Sequence, residues 1–512
     1  MKYICVDTVE FLYTDITEYQ SGTDRINILT PRGSYACAQI LLTEGCGNIN
    51  IECNGWKPEI YEMVAVKVEA NPMYVWNKEA PHTPEKKAPF EVYDCLKPYQ
   101  GSINFKNGQA AVYFSMLIPK DAPIGTINGT VTVNELGIPV TIEVSSAVVP
   151  QETLSVVMWY SKKNIRKYHK LEECSSELDD METKYLKMMR RQHQNGTNIS
   201  ARPKIKVVGK DKYEFDFSDM EISINKLLSL GFTKFTHDLD VTSKPDSPHI
   251  FVYGDVPCTS LEGYSYLAQF LTALSKFIRE HGWCDKFLLG VYDEPQPNIT
   301  MEYKALCGII RKFAPDIKTI VAINEFGVAE GCVDIPIPLN WTYTDHMEEY
   351  EAYREYDDEL WYYDCMGPRG EGYINRFLDY ALISTRYHGW GNYKYNMTGY
   401  LHWAINQFMK EQDPFKQSCV DCGVGGNEYL LPPGDTHIVY PGEYGPWMSV
   451  RLESYRASFE EYEMLRTVAL KDKKTADDIC ESVFRSFKDV EYDPRIFRTE
   501  RNKLIRALES LS

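Results

Sequence analysis

The chain has 512 residues, 44% of them hydrophobic and 25% charged, more than one apolar core usually organises, so at least two domains are expected. Its formal charge of −18, from 55 basic and 73 acidic residues, would repel a phosphate backbone and excludes nucleic acid as a partner. No segment has the length and apolarity of a membrane span, and MKYICVDTVEFLYTD lacks a secretory apolar core, so the chain reads as cytoplasmic, with no membrane partner. The 14 scattered cysteines fit reduced thiols better than a disulfide framework.

From residue 1 to about 150, short alternating or β-branched runs such as Ala111-Val112-Tyr113-Phe114 and Gly129-Thr130-Val131-Thr132-Val133 are broken by turn residues. This pattern predicts an N-terminal β-sandwich domain over 1–150. After Pro150 apolar strand-like runs alternate with helical stretches, the mark of βα units and a parallel sheet. Eight strands are placed at 154–159, 196–201, 234–238, 287–292, 319–324, 332–338, 360–365 and 399–404. Helices are expected at 261–281, 301–313, 373–387 and 452–470, and the chain beyond Thr475 reads as helical and charged, ending in a solvated terminal helix at 495–511. The fold class is therefore β plus α/β, a sandwich followed by a (β/α)8 TIM-like barrel over 151–512. Gly423-Val424-Gly425-Gly426 is no dinucleotide fingerprint, since Glu428 stands where its last glycine belongs.

The fourth strand ends abruptly in Tyr292-Asp293-Glu294-Pro295. Charges there lie at the C-terminal mouth of a barrel, where active sites are built. Adjacent strand residues face opposite ways, so Asp293 and Glu294 reach one substrate only if the backbone bends, while Pro295 favours an extended Glu294. Mutual repulsion, with desolvation by Tyr292 and Trp403, would keep one of the two protonated near neutrality. The competing reading is a pair of acids capping the helix that starts near Thr300.

Several further segments accompany this pair: Cys332-Val333-Asp334-Ile335, Leu360-Trp361-Tyr362-Tyr363-Asp364-Cys365, Gly399-Tyr400-Leu401-His402-Trp403-Ala404-Ile405-Asn406, Val439-Tyr440-Pro441-Gly442 and Ser449-Val450-Arg451-Leu452-Glu453. In this ordered set the chain resembles glycoside hydrolase family 123 and the wider group of bacterial proteins sharing its catalytic domain. The resemblance implies a retaining exo-β-N-acetylgalactosaminidase in which the 2-acetamido group of the sugar attacks the anomeric carbon to give an oxazolinium intermediate. Asp293 would orient the acetamido group, and Glu294 would act as general acid and then general base. The implied partner is a glycan with a terminal β-linked N-acetylhexosamine, and no cofactor or metal is called for.

Candidate substrate contacts are Trp403 as a floor for the sugar, Tyr363, Trp341 and Tyr395 as walls, and Asn195, Asn198, Asn406 and Asp435 as hydrogen-bonding groups. For each, core packing or a turn is the plainer alternative. Glu325 and Asp364, also strand-end acids, are alternative nucleophiles for a conventional retaining glycosidase. A catalytically silent carbohydrate-binding protein is a third reading. Arg451 and Glu453 are expected to form a structural ion pair, and Cys419 and Cys422, a lone C-x-x-C, to be incidental loop thiols.

Overall fold

The computed structural model describes residues 1–72, 85–244, 247–354, 359–370, 372–422 and 430–511; the Gly423–Gly426 segment and Glu428 lie outside them. The N-terminal strands are β1 (Lys2–Val6), β2 (Ile26–Arg32), β3 (Tyr35–Thr43), β4 (Ile51–Asn54), β5 (Glu59–Val68), β6 (Phe90–Pro98), β7 (Ala110–Leu117), β8 (Gly125–Val133) and β9 (Leu136–Val148). They form two sheets, one running β1–β3–β7–β5–β6 and the other β2–β9–β8–β4. Residues of both, among them Ile40, Val112 and Phe114 from the first and Val131, Ile138 and Ile142 from the second, share one apolar cluster.

Eight parallel strands follow: β10 (Ser155–Met158), β11 (Gly196–Asn198), β12 (Lys234–Asp238), β13 (Phe287–Gly290), β14 (Lys318–Ile323), β15 (Ile335–Pro338), β16 (Trp361–Tyr363) and β17 (Gly399–His402). Their order is β15–β14–β13–β12–β11–β10–β17–β16, and a parallel bridge between Leu339 and Tyr363 nearly closes the sheet into a TIM-like barrel. All eight expected strands are present, most of them shorter than their apolar runs. The excess apolar residues line the interior or pack under loops: Val157, Leu288, Ile320, Ile337 and Leu401 form the filling of the barrel.

Two later strands, β18 (Tyr440–Gly442) and β19 (Gly445–Ser449), leave the barrel region and extend the first N-terminal sheet beyond β6. The principal helices are α1 (Ser176–Arg191), α2 (Leu261–Glu280), α3 (Thr300–Phe313), α4 (Val450–Ala469), α5 (Lys473–Val483) and α6 (Pro494–Glu509). Helix α2 shows how sequence sets such an element. Ser260 caps it by accepting from Gly263 N, and Tyr266, Leu267, Phe270, Leu271, Leu274 and Ile278 bury one stripe at three- and four-residue spacing.

Four sequence expectations are corrected. Residues 373–381 are not helical: Ile374 N bonds Phe487 O at 2.9 Å and Leu378 N bonds Pro433 O at 2.9 Å, so these amides serve distant segments, and helix resumes only at Leu382–Arg386 and His388–Lys394. Their helix-like apolar spacing reflects burial on all sides. Arg451 does not pair with Glu453. It is clamped on Asp94 of β6, Nη2 to Oδ2 at 2.9 Å, while Glu453 pairs with Arg456 at 3.1 Å, because α4 is buried from Val450 to Leu465 and each charge there takes a partner within reach. The terminal helix α6 is not simply solvated, since Phe497, Arg501, Leu504 and Ile505 are buried. Residues 484–490, expected to be helical, form a small antiparallel pair instead. Among the described residues no helix is long and apolar enough to cross a membrane.

Candidate active site

The acidic pair stands where β13 runs out. Phe287–Gly290 is buried at every residue, as a strand covered on both sides must be. Gly290 is required by a close approach, because a Cβ there would overlap Oδ1 of Asp238 on the neighbouring strand β12. Past Tyr292 the chain turns sharply: Glu294 has φ +46°, in the left-handed region that L-residues avoid. The bend demanded by adjacency is therefore present, but the extended Glu294 expected before Pro295 is not. Fixed bonds oppose the proline preference. Gln296 Nε2 donates to the Glu294 carbonyl at 2.9 Å and to Asn324 Oδ1 at 3.2 Å, holding a strained residue in place.

The Glu294 carboxyl is gripped at both oxygens. Tyr363 on β16 donates its hydroxyl to Oε1, and Asn324, just past β14, donates Nδ2 to Oε2 at 3.2 Å. Burial pushes the Glu294 carboxyl up to about 7; the Asp293 charge pushes the same way and the Tyr363 hydroxyl opposes. Asp293 is also raised, by burial. Its side chain is open to solvent yet set in a recess crowded by protein, so water reaches the carboxylate without fully solvating it. The acids do not cap α3, which begins after a 3-10 turn at Pro297–Ile299 and has Ile299 at its N-cap with no side-chain cap bond.

Asp293 faces a cleft of about 310 Å³ whose walls include Trp159, Arg202, Asp238, Asp240 and Tyr292, with Ile320, Ile337 and Leu401 of the barrel filling below. Asp238 is raised by burial and then by the Asp293 charge, with Arg202 opposing; the Arg202 guanidinium donates to the Asp238 carbonyl at 2.9 Å. Three carboxylates, Asp238, Asp240 and Asp293, and the Arg202 guanidinium thus line the mouth. Trp341 packs half-buried against the cluster that contains Tyr363, its indole donating to Asp345 at 2.6 Å.

The other sequence candidates lie elsewhere or are already bonded. Asn195 precedes β11 and bridges Val156 N and Leu154 O at 2.9 and 2.8 Å, at the opposite end of the barrel. Asn198 and Asn406 accept from the Tyr160 and Ser161 amides, at 2.9 and 2.8 Å. Tyr395 precedes β17 and packs on Phe487 with ring centres 5.0 Å apart, so the structure does not bring it to the acids. Trp403, half-buried after β17, lies near Asp435, which has no exposed surface and whose two oxygens make no well-formed hydrogen bond among the described residues. Burial pushes Asp435 up to about 7, and His402, with Nε2 3.9 Å away, is held neutral, chiefly by burial.

Asp364 is sealed, bonded to Tyr400 Oη at 2.5 Å and His388 Nε2 at 2.7 Å, with no exposure. Glu325 is exposed and makes no hydrogen bond among the described residues. Sequence reasoning passed over Asp238, Asn324, Trp159 and Arg202. Asp238 carried the same signal as Asp293, an acid ending a barrel strand; Asn324 and Trp159 also follow strand ends, and Arg202 carried none. Cys419 Sγ lies 3.5 Å from Ala70 O, and no set of three His, Cys, Asp or Glu side chains converges to hold a metal among the described residues.

Two strand-end carboxylates thus stand at the mouth of a nearly closed eight-stranded barrel, Glu294 pushed up to about 7 beside the more exposed Asp293. Residues 152–468 match the family described as glycoside hydrolase 123, catalytic domain, and the chain belongs to that family. It is also similar to the structure of a family 123 glycoside hydrolase from Clostridium perfringens, described for glycolipid glycan hydrolysis. The two are 16% identical, cover 100% of this chain and 98% of that one, and superpose with a TM-score of 0.77, a likeness of fold. More distant are β-glucuronidase 3 of Bacteroides uniformis, 12% identical over 86% of this chain and 51% of that one with a TM-score of 0.34, and the β-D-glucuronidase of Dictyoglomus thermophilum, 9% identical over 84% and 68% with 0.36. No curated protein sequence matches the chain.

Proposed function

We propose that this protein is a retaining exo-β-N-acetylhexosaminidase, of the N-acetylgalactosaminidase type, working by substrate assistance. The observation that carries this reading is the unequal setting of two adjacent acids: Glu294 is gripped by Tyr363 and Asn324 and pushed by burial up to about 7, whereas Asp293 is open to the cleft. Glu294 protonates the glycosidic oxygen. The acetamido oxygen of the sugar attacks the anomeric carbon, Asp293 takes the acetamido N–H and offsets the positive charge of the oxazolinium, and Glu294 then removes a proton from the water that opens it. Retention follows from the two displacements.

Of the two alternative nucleophiles for a conventional double displacement, Asp364 is sealed against that use, while Glu325 is exposed. The glycolipid glycan hydrolysis described for the Clostridium perfringens relative suits the same chemistry. We also read the two N-terminal sheets as a sandwich domain over 1–150, joined to a catalytic domain over 151–512 that extends one sheet with β18 and β19.

Aryl β-N-acetylgalactosaminide, β-N-acetylglucosaminide and β-galactoside separate the possibilities. Hydrolysis of the two acetamido sugars alone is expected, and turnover of the plain galactoside would overturn the assignment. Asp293→Asn should slow both activated and poor leaving groups by about 100-fold or more, while Glu294→Gln should spare the activated ones.

A further inference from the structure

A second cavity, of about 420 Å³, opens between β1, β2 and β3 of the N-terminal sheets and helices α4 and α6, and shares no residue with the cleft at Asp293. Six arginines line it, each paired with a carboxylate: Arg25 with Asp24, Arg495 with Asp493, Arg456 with Glu453 and Glu460, Arg498 with Asp7, and Arg386 and Arg501 with the one Glu461. Three of the arginines form one group. Arg498 grips Asp7 through Nε at 2.7 Å and through Nη2; Arg386 grips Glu461 through Nε at 2.9 Å and Nη2 at 2.6 Å; Arg501 reaches the same Glu461 at 2.8 Å and the Leu29 carbonyl at 3.0 Å.

Three guanidiniums therefore share two carboxylates. Nη1 of Arg386, Nη1 of Arg498 and Nη2 of Arg501 are left without a hydrogen-bond partner among the described residues, although Arg386 and Arg501 are only 4% and 5% exposed. The crowding is felt: burial first, and then the charges of Arg498 and Arg386, pull Arg501 down to about 10. Guanidinium donors that line one cavity match the oxyanions of phosphate or carboxylate.

We propose that this cavity is a binding site for a small molecule bearing an oxyanion, held by Arg386, Arg498 and Arg501. The site stands independently of the hydrolytic reading, and its ligand is seated where the N-terminal sheets meet α4 and α6.

The full chain titrated calorimetrically with inorganic phosphate and with citrate, in a low-salt buffer free of other oxyanions, should bind at least one of them saturably at one per chain. Phosphate alone would identify a phosphate group, citrate alone a carboxylate, and galactose should not bind. Arg498→Gln and Arg501→Gln should each weaken binding about tenfold or more. Because Arg501 is buried and its variant is liable to misfold, a tungstate soak of the native protein gives a second measurement, with the anomalous signal expected among the three arginines. Absence of saturable binding to the native chain, unchanged binding in the folded variants, or tungstate seated elsewhere would overturn the proposal.

Discussion

Tyr363, at the end of the seventh barrel strand, donates its hydroxyl to the carboxyl of Glu294, which follows the fourth strand across the barrel mouth. This bond favours the ionised carboxyl and opposes the burial that favours the protonated one. In Tyr363→Phe the burial and the Asp293 charge are no longer opposed by this bond, so the alkaline limb of the kcat/KM profile should move to higher pH. The rate near neutrality should fall about tenfold as the carboxyl loses one of its two anchors. A profile measured with an aryl substrate checks both, and an unmoved limb would mean that Glu294 does not set it.

Glu294 also bears on stability. Its carboxyl titrates near 4.5 when unperturbed and at about 7 in the folded chain, so between these values the folded state holds the extra proton. Stability contributed by this group is complete below the lower value and is lost as pH rises through the higher one. Glu294→Gln removes that loss. The variant should be more stable than the native protein at pH 8, by on the order of 1 to 3 kcal/mol, and no more stable at pH 4. Denaturant unfolding at the two pH values tests this.

Asp94 and Arg451 join the first N-terminal sheet to α4 without any contact with solvent. Tyr440 of β18 donates to the same carboxylate at 2.6 Å, and Arg451 also reaches the carbonyls of Gly434 and His437 at 2.9 and 3.1 Å. Either Asp94→Asn or Arg451→Met strands a buried charge and should destabilise the chain by about 3 to 5 kcal/mol. The double variant should lose less than the sum of the singles, which chemical denaturation of the full cycle would measure.

Gly290→Ala places a methyl group against Asp238 Oδ1, next to Asp293. The Asp238 side chain must move, and the cleft changes shape without any loss of a titrating group. Activity should drop about tenfold or more while the unfolding midpoint shifts little, which steady-state kinetics and denaturant unfolding of the one variant check together.

Much of the barrel was legible because its strands are fully buried runs closed by polar residues, a signal that survives without context. Asp293 was legible for the same reason. The failures share one cause. Residues 373–381 and Arg451 have helix-like or pair-like spacing, but their partners, Phe487, Pro433 and Asp94, are supplied by remote parts of the chain. Asn195, Asn198 and Asn406 were credible sugar ligands until the tertiary fold bonded them to the Leu154, Val156, Tyr160 and Ser161 backbone.

By itself the sequence determined the parallel barrel, its eight strands and the place of two acids at a strand end, since periodicity and an abrupt polar stop are local properties of a chain. Only the tertiary structure decided which acid is held protonated. That depends on the burial of Glu294 past its left-handed turn, working against the donors that Tyr363 and Asn324 bring from two other strands, and burial and hydrogen bonding across a barrel mouth are written in no single segment.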